Sequence, residues 1–528
     1  MTALDWSLPY PSRRQPVLAR NVVATSQPLA TQAGLAMLSR GGNAVDAAIA
    51  TAITLTVVEP VSNGIGSDLF AILWDGNGLV GLNASGRAPA AATVSRYAGQ
   101  AEMPQRGWEP VTIPGAVSGW VALSRRYGRL PFADLFDPAI RYARDGWIVS
   151  PVVAAQWERA AGILPKDLGY AEHFLPAGRA PRAGETFACP PMARTLEAIA
   201  ASAGEAFYRG ELAHAMAADA RRHGALHTVD DFARHASDWV TPLALDYRGT
   251  TVHEIPPNGQ GIAALIALGI LASAPPEAPP DSVAAQHRAI EAMKLAFADA
   301  YRHVADRAHM RVAPEEMLDR AYLASRAGLI DPTRAQDFGP GSPPQGGTVY
   351  LATGDAQGMM VSLIQSNYMG FGSGVVVPGT GISLQNRGAG FSLDPAHPNA
   401  VEGGKRPFHT IIPGFLTRGG APLAAFGVMG GPIQPQGHVQ VLQRMLDHGM
   451  NPQAALDAPR WRWNRDGSLD LEATMPPDVR AGLAALGHRL VASSDSHFDF
   501  GAGQIVVRID GGYLAASDPR RDGQAAGF

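Results

Sequence analysis

Apolar residues recur at helical spacing over residues 29–40 and again over residues 44–58. A Gly-Gly pair separates the two runs, and Asn43 stands where an asparagine caps a helix. The pattern predicts two helices joined by a tight turn. Further on, strand-like apolar runs flank the turn sequence DGNG at residues 75–78, which predicts a β-hairpin.

The middle of the chain, residues 111–328, is predicted to be mainly helical, most clearly at 115–128, 133–146 and 282–304. The last of these segments has an apolar side that includes Ile290, Met293, Leu295 and Phe297. Charged residues on its other face are interpreted as a solvated surface.

From residue 348 onward the pattern changes to that of a sheet, with two strands around a turn at 355–358 and a further strand at 424–431. A helix is predicted at 438–449, and a short one begins at Asn451 and Pro452 by capping rules. Two proline-rich stretches, 273–281 and 338–347, are predicted to be exposed connectors.

Composition describes a globular protein with a large core, with 46% apolar and 17% charged residues. The net charge of -4 provides no basic field for nucleic acid or an anionic membrane, so a small molecule is the expected partner. The single cysteine, Cys189, excludes an intrachain disulfide framework and is interpreted as structural or incidental. The first residues lack a signal-peptide pattern, which predicts a cytoplasmic location.

Common catalytic motifs are absent from the sequence. There is no G-x-S-x-G serine elbow and no H-E-x-x-H metal motif, so no metal site is predicted. Gly64 and Gly66 lack the strand and third glycine of a dinucleotide fingerprint, and no cofactor is predicted.

The stretch PPQGGTVYLA, residues 343–352, carries the candidate chemistry. Cleavage between Gly347 and Thr348 would place a hydroxyl nucleophile and a free α-amine, which can act as its base, on one residue. By local sequence alone, Thr348 is more simply the first residue of a strand.

Several blocks spread over residues 17–528 resemble the γ-glutamyltranspeptidase family. These blocks are GGNAVDAA from Gly41, VEP from Val58, NGIGSD from Asn63, RRYGRLP from Arg125, PPNGQG from Pro256, EAMKLAFAD from Glu291, the pair Gly430-Gly431, and ASDPRRDG from Ala516. The resemblance implies a self-cleaving N-terminal nucleophile hydrolase of the α+β class with a four-layer αββα sandwich. It further implies a large subunit of residues 1–347 and a small subunit of residues 348–528, which are intertwined in one catalytic domain. Two such heterodimers are expected to be able to pair as a dimer.

The resemblance also implies roles for particular residues. Thr348 matches the nucleophile, and Gly430 and Gly431 match the pair whose N–H groups form the oxyanion hole. Asn367 matches an asparagine that would hold the Thr348 amine or hydroxyl. The alternative readings are a plain strand-to-helix turn for the glycines and a turn-forming residue for Asn367.

The substrate pocket departs from the family pattern. The arginine expected to bind the glutamate α-carboxylate is replaced by Ser85, with Arg87 two places later as a substitute or a loop salt-bridge partner. The acidic residue expected to pair with the substrate ammonium is replaced by Gly390, and Arg387 stands three residues before it. The remaining pocket changes are Gln365, His409 and Thr410.

These changes predict a pocket that prefers a carboxylate without an adjacent ammonium, unless Arg387 is a structural residue that bonds loop carbonyls. The expected activity is therefore hydrolysis of, or acyl transfer from, an oxamate-like or other small acyl amide, with water or an amine as acceptor. The alternatives are a true γ-glutamyltransferase or glutathione hydrolase, and an unprocessed member that serves as a binding or structural protein.

Overall fold

The structure is a computed structural model that describes residues 13–338, 347–491 and 497–528. Helices make up much of the first two-thirds of the chain. Within the described ranges the α-helices are α1 (Pro28–Ser39), α2 (Ala44–Val58), α3 (Ala116–Tyr127), α4 (Asp137–Asp145), α5 (Pro151–Ala161), α6 (Tyr170–Phe174), α7 (Pro190–Ala201), α8 (Glu205–Tyr208), α9 (Glu211–Arg222), α10 (Val229–Ala233), α11 (Gly261–Leu271), α12 (Val283–His303), α13 (Pro314–Met317), α14 (Arg320–Ala327), α15 (Ile433–Leu442), α16 (Pro452–Asp457) and α17 (Pro477–Ala485).

Two large antiparallel sheets form the centre of the described chain, each with seven strands. The first sheet runs, in spatial order, β21 (Gln524–Gly527), β2 (Val22–Thr25), β10 (Gly347–Gly354), β11 (Met360–Tyr368), β3 (Asp68–Trp74), β4 (Leu79–Ala84) and β7 (Asp238–Val240). The second runs β1 (Val17–Ala19), β20 (Gly512–Ser517), β19 (Ala502–Ile509), β15 (Ala421–Met429), β14 (Gly414–Arg418), β9 (Thr250–Glu254) and β8 (Leu243–Tyr247). Short strands form three smaller sheets, namely β5 (Trp147–Ile148) with β6 (Thr186–Phe187), β12 (Val376–Val377) with β13 (Ile382–Ser383), and β16 (Trp461–Trp463) with β17 (Ser468–Leu471) and β18 (Arg489–Leu490).

Apolar side chains pack on both sides of these sheets. A cluster that includes Phe70 and Tyr350 from the first sheet and Phe415 and Val506 from the second fills the space between them. Larger clusters join the first sheet to helices α2 and α3, and the second sheet to helices α11 and α12. The fold is therefore a mixed α/β arrangement whose two antiparallel sheets both have helices packed against them.

The predicted helical pair and hairpin are confirmed. Helices α1 and α2 occupy the predicted segments, and the Asn43 side chain accepts hydrogen bonds from Val45 N and Asp46 N, both at 3.0 Å. Asp46 in turn accepts from Asn43 N at 3.0 Å, which completes a capping box. Strands β3 and β4 pair across the predicted turn.

The prediction of a mainly helical middle is wrong for residues 238–254. There β7 belongs to the first sheet, and β8 and β9 belong to the second. Strands β8 and β9 are joined by Arg248 and Gly249, both with positive φ, as a tight hairpin requires. The helix predicted from residue 438 begins earlier, at Ile433, and continues from Leu442 into a π-helical turn.

The prediction that the charged face of α12 is solvated is also wrong. Glu291 and Lys294 are buried and lie 2.7 Å apart. The segment before the predicted cleavage site covers them, because Gln336 N donates to Glu291 at 3.1 Å and Lys294 donates to Gln336 O at 3.0 Å. A buried charge of this kind needs both an opposite charge and hydrogen bonds.

One predicted connector precedes α12, and the other leads to β10. Residues 273–281 lie between α11 and α12 and contain no regular element. Most of the connector at 338–347 lies outside the described residues, but Gly347 lies in β10 opposite Tyr368, at an irregularity between Gly347 and Val349. None of the helices in the described ranges combines the length and apolar character needed to cross a bilayer.

Candidate active site

Thr348 lies near the start of β10 and is only 2% exposed. Its hydroxyl donates a hydrogen bond to Ser366 Oγ at 3.1 Å and accepts one from Gln434 Nε2 at 3.4 Å. The neighbouring Val349 belongs to the apolar cluster on the helical side of the first sheet. The candidate nucleophile is therefore held by one hydroxyl from β11 and one amide from α15.

The backbone after Ser366 turns sharply. Tyr368 has φ +77, and its N–H donates to Ser366 Oγ at 2.7 Å. A positive φ in a bulky residue is strained, and such strain tends to persist at functional sites. Ser366 was not singled out from the sequence; the two residues that flank it were.

The flanking residues, Gln365 and Asn367, point away from Thr348 because side chains alternate along a strand. Gln365 accepts from Trp120 Nε1 at 2.9 Å and donates to Asn63 at 2.7 Å. Asn367 accepts from Ser67 Oγ at 2.8 Å and donates to Ser383 Oγ at 3.0 Å. Within the described chain, neither side chain forms a hydrogen bond with Thr348.

Gly430 and Gly431 form the turn between β15 and α15, with φ values of +128 and +70. A Cβ at Gly430 would lie 2.7 Å from the Ile433 side chain, so glycine is required there. Across the described ranges, the N–H groups of Gly430 and Gly431 donate to no other group. The pair forms the strand-to-helix turn of the alternative reading, and the oxyanion-hole role of its two N–H groups stays a prediction.

Gln434 connects this turn to Thr348. Its N–H donates to Gly431 O at 3.1 Å, its side-chain oxygen accepts from Ile412 N at 3.0 Å, and its side-chain amide reaches the Thr348 hydroxyl. Gln260 braces the same turn by donating to Gly431 O at 3.0 Å and to Thr410 O at 2.7 Å.

Arg387 is the buried cation of the site. It is 1% exposed, donates from Nη1 to Thr410 Oγ1 at 2.7 Å, and lies 4.7 Å from the centre of the Tyr368 ring. Its Nε and Nη2 groups have no hydrogen-bond partner among the residues that the structure describes. Burial lowers the pKa of Arg387 to about 10, so it remains a cation at neutral pH.

Asp68 and His409 lie beside this cation. His409 Nδ1 accepts from Ile411 N at 3.3 Å, so the ring proton is assigned to Nε2, which donates to Asp68 Oδ2 at 3.1 Å. Burial raises the pKa of Asp68 to about 7, against the opposing effect of the Arg387 charge. Burial, followed by the charge of Arg387, keeps the pKa of His409 well below its usual range, so the imidazole is neutral.

Two other predicted residues add no buried charge to this group. The side chain of Arg87 is 40% exposed and forms ion pairs with Asp238 at 3.4 Å and Asp306 at 3.3 Å, which fits the salt-bridge alternative. Gly390 lies beside Phe408, and a Cβ there would meet the Phe408 carbonyl oxygen at 2.6 Å. An acidic side chain at position 390 therefore requires the backbone to move.

The structure also assembles a group of metal-ligand types that the sequence reasoning did not find, namely His287, Glu291 and His488. Their atoms are engaged: His287 and His488 hydrogen-bond each other at 2.8 Å, and Glu291 pairs with Lys294. Both carboxylate oxygens of Glu291 accept hydrogen bonds, Oε1 from Lys294 and Oε2 from Gln336 N.

The assembled groups suit attack on an amide. A buried hydroxyl has an acceptor and a donor in place, and two backbone N–H groups on the adjoining turn can stabilise an oxyanion. The family model for gamma-glutamyltranspeptidase matches residues 30–528. The chain belongs to the γ-glutamyltranspeptidase family.

Within the γ-glutamyltranspeptidase family, the relatives have varied activities. The chain is 38% identical over 516 residues to an oxamate amidohydrolase proenzyme of Klebsiella pneumoniae, covering 95% of this chain and 97% of that protein. It is 37% identical over 523 residues to the glutathione hydrolase-like YwrD proenzyme of Bacillus subtilis, covering 96% and 98%. A crystal structure of cephalosporin acylase from Bacillus halodurans matches with a TM-score of 0.95 and 49% identity, covering 100% of this chain and 99% of that one.

Proposed function

We propose that this member of the γ-glutamyltranspeptidase family cleaves itself between Gly347 and Thr348 and then hydrolyses a small-molecule amide through an acyl-Thr348 intermediate. The observation that carries the proposal is the environment of the Thr348 hydroxyl, which bonds to Ser366 and Gln434 beside the Gly430-Gly431 turn. The names of the two relatives, both proenzymes, support it.

Self-cleavage begins with attack of Thr348 Oγ1 on the Gly347 carbonyl carbon. The C–N bond breaks, the Thr348 nitrogen takes a proton to become an amine, and an ester joins Gly347 to the hydroxyl oxygen. Water then hydrolyses the ester, which leaves a carboxylate at Gly347 and a free Thr348 amine and hydroxyl. Glycine at position 347 has no Cβ to obstruct the attack.

The mature reaction uses the same atoms. The Thr348 amine takes the hydroxyl proton as Oγ1 attacks the substrate carbonyl, and the proton passes to the leaving amine as the C–N bond breaks. Gly430 and Gly431 donate to the oxyanion of the tetrahedral intermediate. Water, or an amine acceptor, then releases the acyl group.

The preferred substrate is proposed to carry a carboxylate and no adjacent ammonium. Arg387 offers two buried N–H groups that have no acceptor in the described part of the chain, and a carboxylate is the natural partner for such a fork. Thr410 fixes the guanidinium through Nη1, and His409 lies beside it as a neutral ring. The activity in the name of the Klebsiella pneumoniae relative fits this chemistry, because oxamate is an amide joined to a carboxylate.

Glutathione hydrolysis is the second candidate, and the name of the Bacillus subtilis relative favours it. A γ-glutamyl donor needs an anion for its ammonium, and position 390 supplies none. Asp68 is close to Arg387, but its carboxylate already accepts from Gly86 N, Gly115 N and His409. We therefore rank glutathione hydrolysis as the second candidate.

The proposal extends to the architecture. A large subunit of residues 1–347 and a small subunit of residues 348–528 would share both large sheets, since each sheet contains strands from both sides of the cut. The three apolar clusters support an αββα order of layers. Pairing of two such heterodimers and a cytoplasmic location stay predictions.

The test is an activity panel on purified protein with oxamate, glutathione and small neutral amides. Wild type is expected to release ammonia from oxamate faster than it cleaves glutathione, and Thr348→Ala is expected to act on none of them. Cys189→Ala is the control, because Cys189 is buried and burial raises the pKa of its thiol. Full turnover by Thr348→Ala would exclude the proposed nucleophile, and an inert, uncleaved wild type would favour the binding-protein alternative.

A further inference from the structure

A pocket of about 460 Å³ lies between the proposed large and small subunits. Tyr301 and Val304 line it from the large-subunit side, and Phe391 and Phe408 line it from the small-subunit side. The rings of Tyr301 and Phe408 are 5.4 Å apart, in the range of an aromatic pair. Both proposed subunits therefore contribute apolar side chains to a wall that also contains polar residues, among them Ser392, His397 and Asn399.

The pocket adjoins the buried cation. Ala389 and Gly390 form part of its wall and belong to the same 3₁₀ turn as Arg387, Arg387–Gly390. Phe408 directly precedes His409 and Thr410, and Thr410 is the hydrogen-bond partner of Arg387. The pocket therefore shares two chain segments with Arg387 and with its hydrogen-bond partner.

Hydrogen bonds hold this part of the wall in shape. Asn399 donates to Gly390 O at 2.6 Å and accepts from Phe408 N at 2.9 Å, so one side chain fastens the two segments together. A pocket formed by fixed segments is suited to ligand binding, because little ordering is left to occur on association.

Two exposed lining residues, one from each proposed subunit, carry opposite charges. Glu102 and Arg465 form an ion pair at 2.8 Å, and the side chain of each is 57% exposed. An exposed pair of this kind contributes little stability. A ligand that displaced one of its members would therefore cost little stability.

We propose that this pocket binds a ring-sized apolar substituent on the acyl part of the substrate, beside the carboxylate held by Arg387. The inference rests on the proposed function and narrows its substrate class to substituted carboxylate amides. A volume of about 460 Å³ lies in the range of ~300–1,000 Å³ that is usual for small-molecule pockets, so a molecule as small as oxamate would leave much of it to solvent. Pockets of this size typically hold larger ligands.

The probes are malonate and benzylmalonate, the dicarboxylates that hydrolysis of malonamate and of its benzyl-substituted form would release. They are tested as competitive inhibitors of the cleaved wild-type enzyme, with oxamate hydrolysis as the assay. Benzylmalonate is expected to bind at least about tenfold more tightly than malonate, because a hydrophobic pocket gains about that factor from even one buried methylene.

Two variants fill the pocket, and one matched variant does not. Ala389→Phe and Leu393→Trp each place a large side chain on the lining, and each is expected to remove the advantage of benzylmalonate while malonate binds as before. Ala396→Phe adds the same bulk at an exposed position on the neighbouring loop, outside the lining, and is expected to bind both probes like wild type.

The outcomes separate this inference from the function on which it rests. Equal binding of the two probes to wild type would overturn the pocket assignment, and so would equal effects of Ala389→Phe and Ala396→Phe on benzylmalonate. A turnover rate that depended on the size of the leaving amine, and not on the size of the acyl group, would also overturn it. Failure of the proposed function would give a different result, namely a wild-type chain that stays uncleaved and has no amidase activity.

Discussion

Replacement of Arg387 by glutamine tests the assignment of the substrate carboxylate. The change removes a buried cation whose Nε and Nη2 are proposed to bond the substrate, and it leaves the substrate carboxylate without a partner. Truncating one member of a buried, hydrogen-bonded charge pair costs about 2–5 kcal/mol. At about 1.4 kcal/mol per tenfold change, kcat/KM for oxamate is expected to fall roughly 30- to 4,000-fold.

The assay compares oxamate with a neutral amide of similar size, for wild type, Arg387→Gln and Arg87→Gln. Arg87 is the matched control because its exposed ion pairs contribute at most ~1 kcal/mol and it adds no buried charge to the group. Arg387→Gln is expected to lose oxamate turnover and keep neutral-amide turnover, while Arg87→Gln behaves like wild type. Equal losses on both substrates would refute the carboxylate assignment, and so would a larger oxamate defect in Arg87→Gln.

Three further predictions follow from the same contacts. Thr348→Ser is expected to retain cleavage and some turnover, since hydroxyl and amine both survive; complete loss of cleavage in gel electrophoresis would contradict this. The pKa of Asp68 is raised to about 7, so above about pH 4 the folded protein keeps a proton that the unfolded chain has lost. The free energy of unfolding that Asp68 contributes therefore falls as the pH rises from about 4 to 7. Asp68→Asn is therefore expected to make Tm fall less steeply over that pH range. Some decline is expected to remain, because burial also raises the pKa of Glu59 to about 7. Gly390→Asp is expected to lower Tm without creating γ-glutamyl hydrolysis, because its Cβ would lie 2.6 Å from Phe408 O; efficient turnover of γ-glutamyl-p-nitroanilide would show that the backbone adapts.

The parts of the fold that the sequence predicted are those governed by local rules. Helices α1 and α2 are marked by the cap at Asn43 and the glycine pair before it, and both appear where expected. Strands β8 and β9 were missed because each is short and their turn, at Arg248 and Gly249, lacks the usual asparagine or aspartate. The buried charges of α12 were misjudged because the segment that covers them is distant in sequence.

The site shows the same division. Thr348 and the Gly430-Gly431 pair could be named as candidate site residues from the sequence. Gln434 and Asp68 could not, because each of these two side chains reaches its partner only through tertiary packing. Gln434 lies 86 positions from Thr348, and Asp68 lies 341 positions from His409. Ser366 was missed by one position, and the alternation of side chains along β11 is the signal that would have selected it.

Arg87 and Arg387 show why a residue type alone does not define a role. Both arginines were candidates for the substrate carboxylate, and for each a structural role was the alternative. Burial separates them: Arg87 is 40% exposed and paired with two aspartates, while Arg387 is buried with unbonded N–H groups within the described chain.

The central claim is that Thr348 is both the cleavage point and the nucleophile, and the N-terminal sequence of the smaller fragment tests it most directly. Wild-type protein is expected to give two fragments, of which the smaller begins Thr-Val-Tyr-Leu at residue 348, while Thr348→Ala gives one intact chain. A smaller fragment that begins at any other residue, or cleavage of Thr348→Ala at the same bond, would contradict the account.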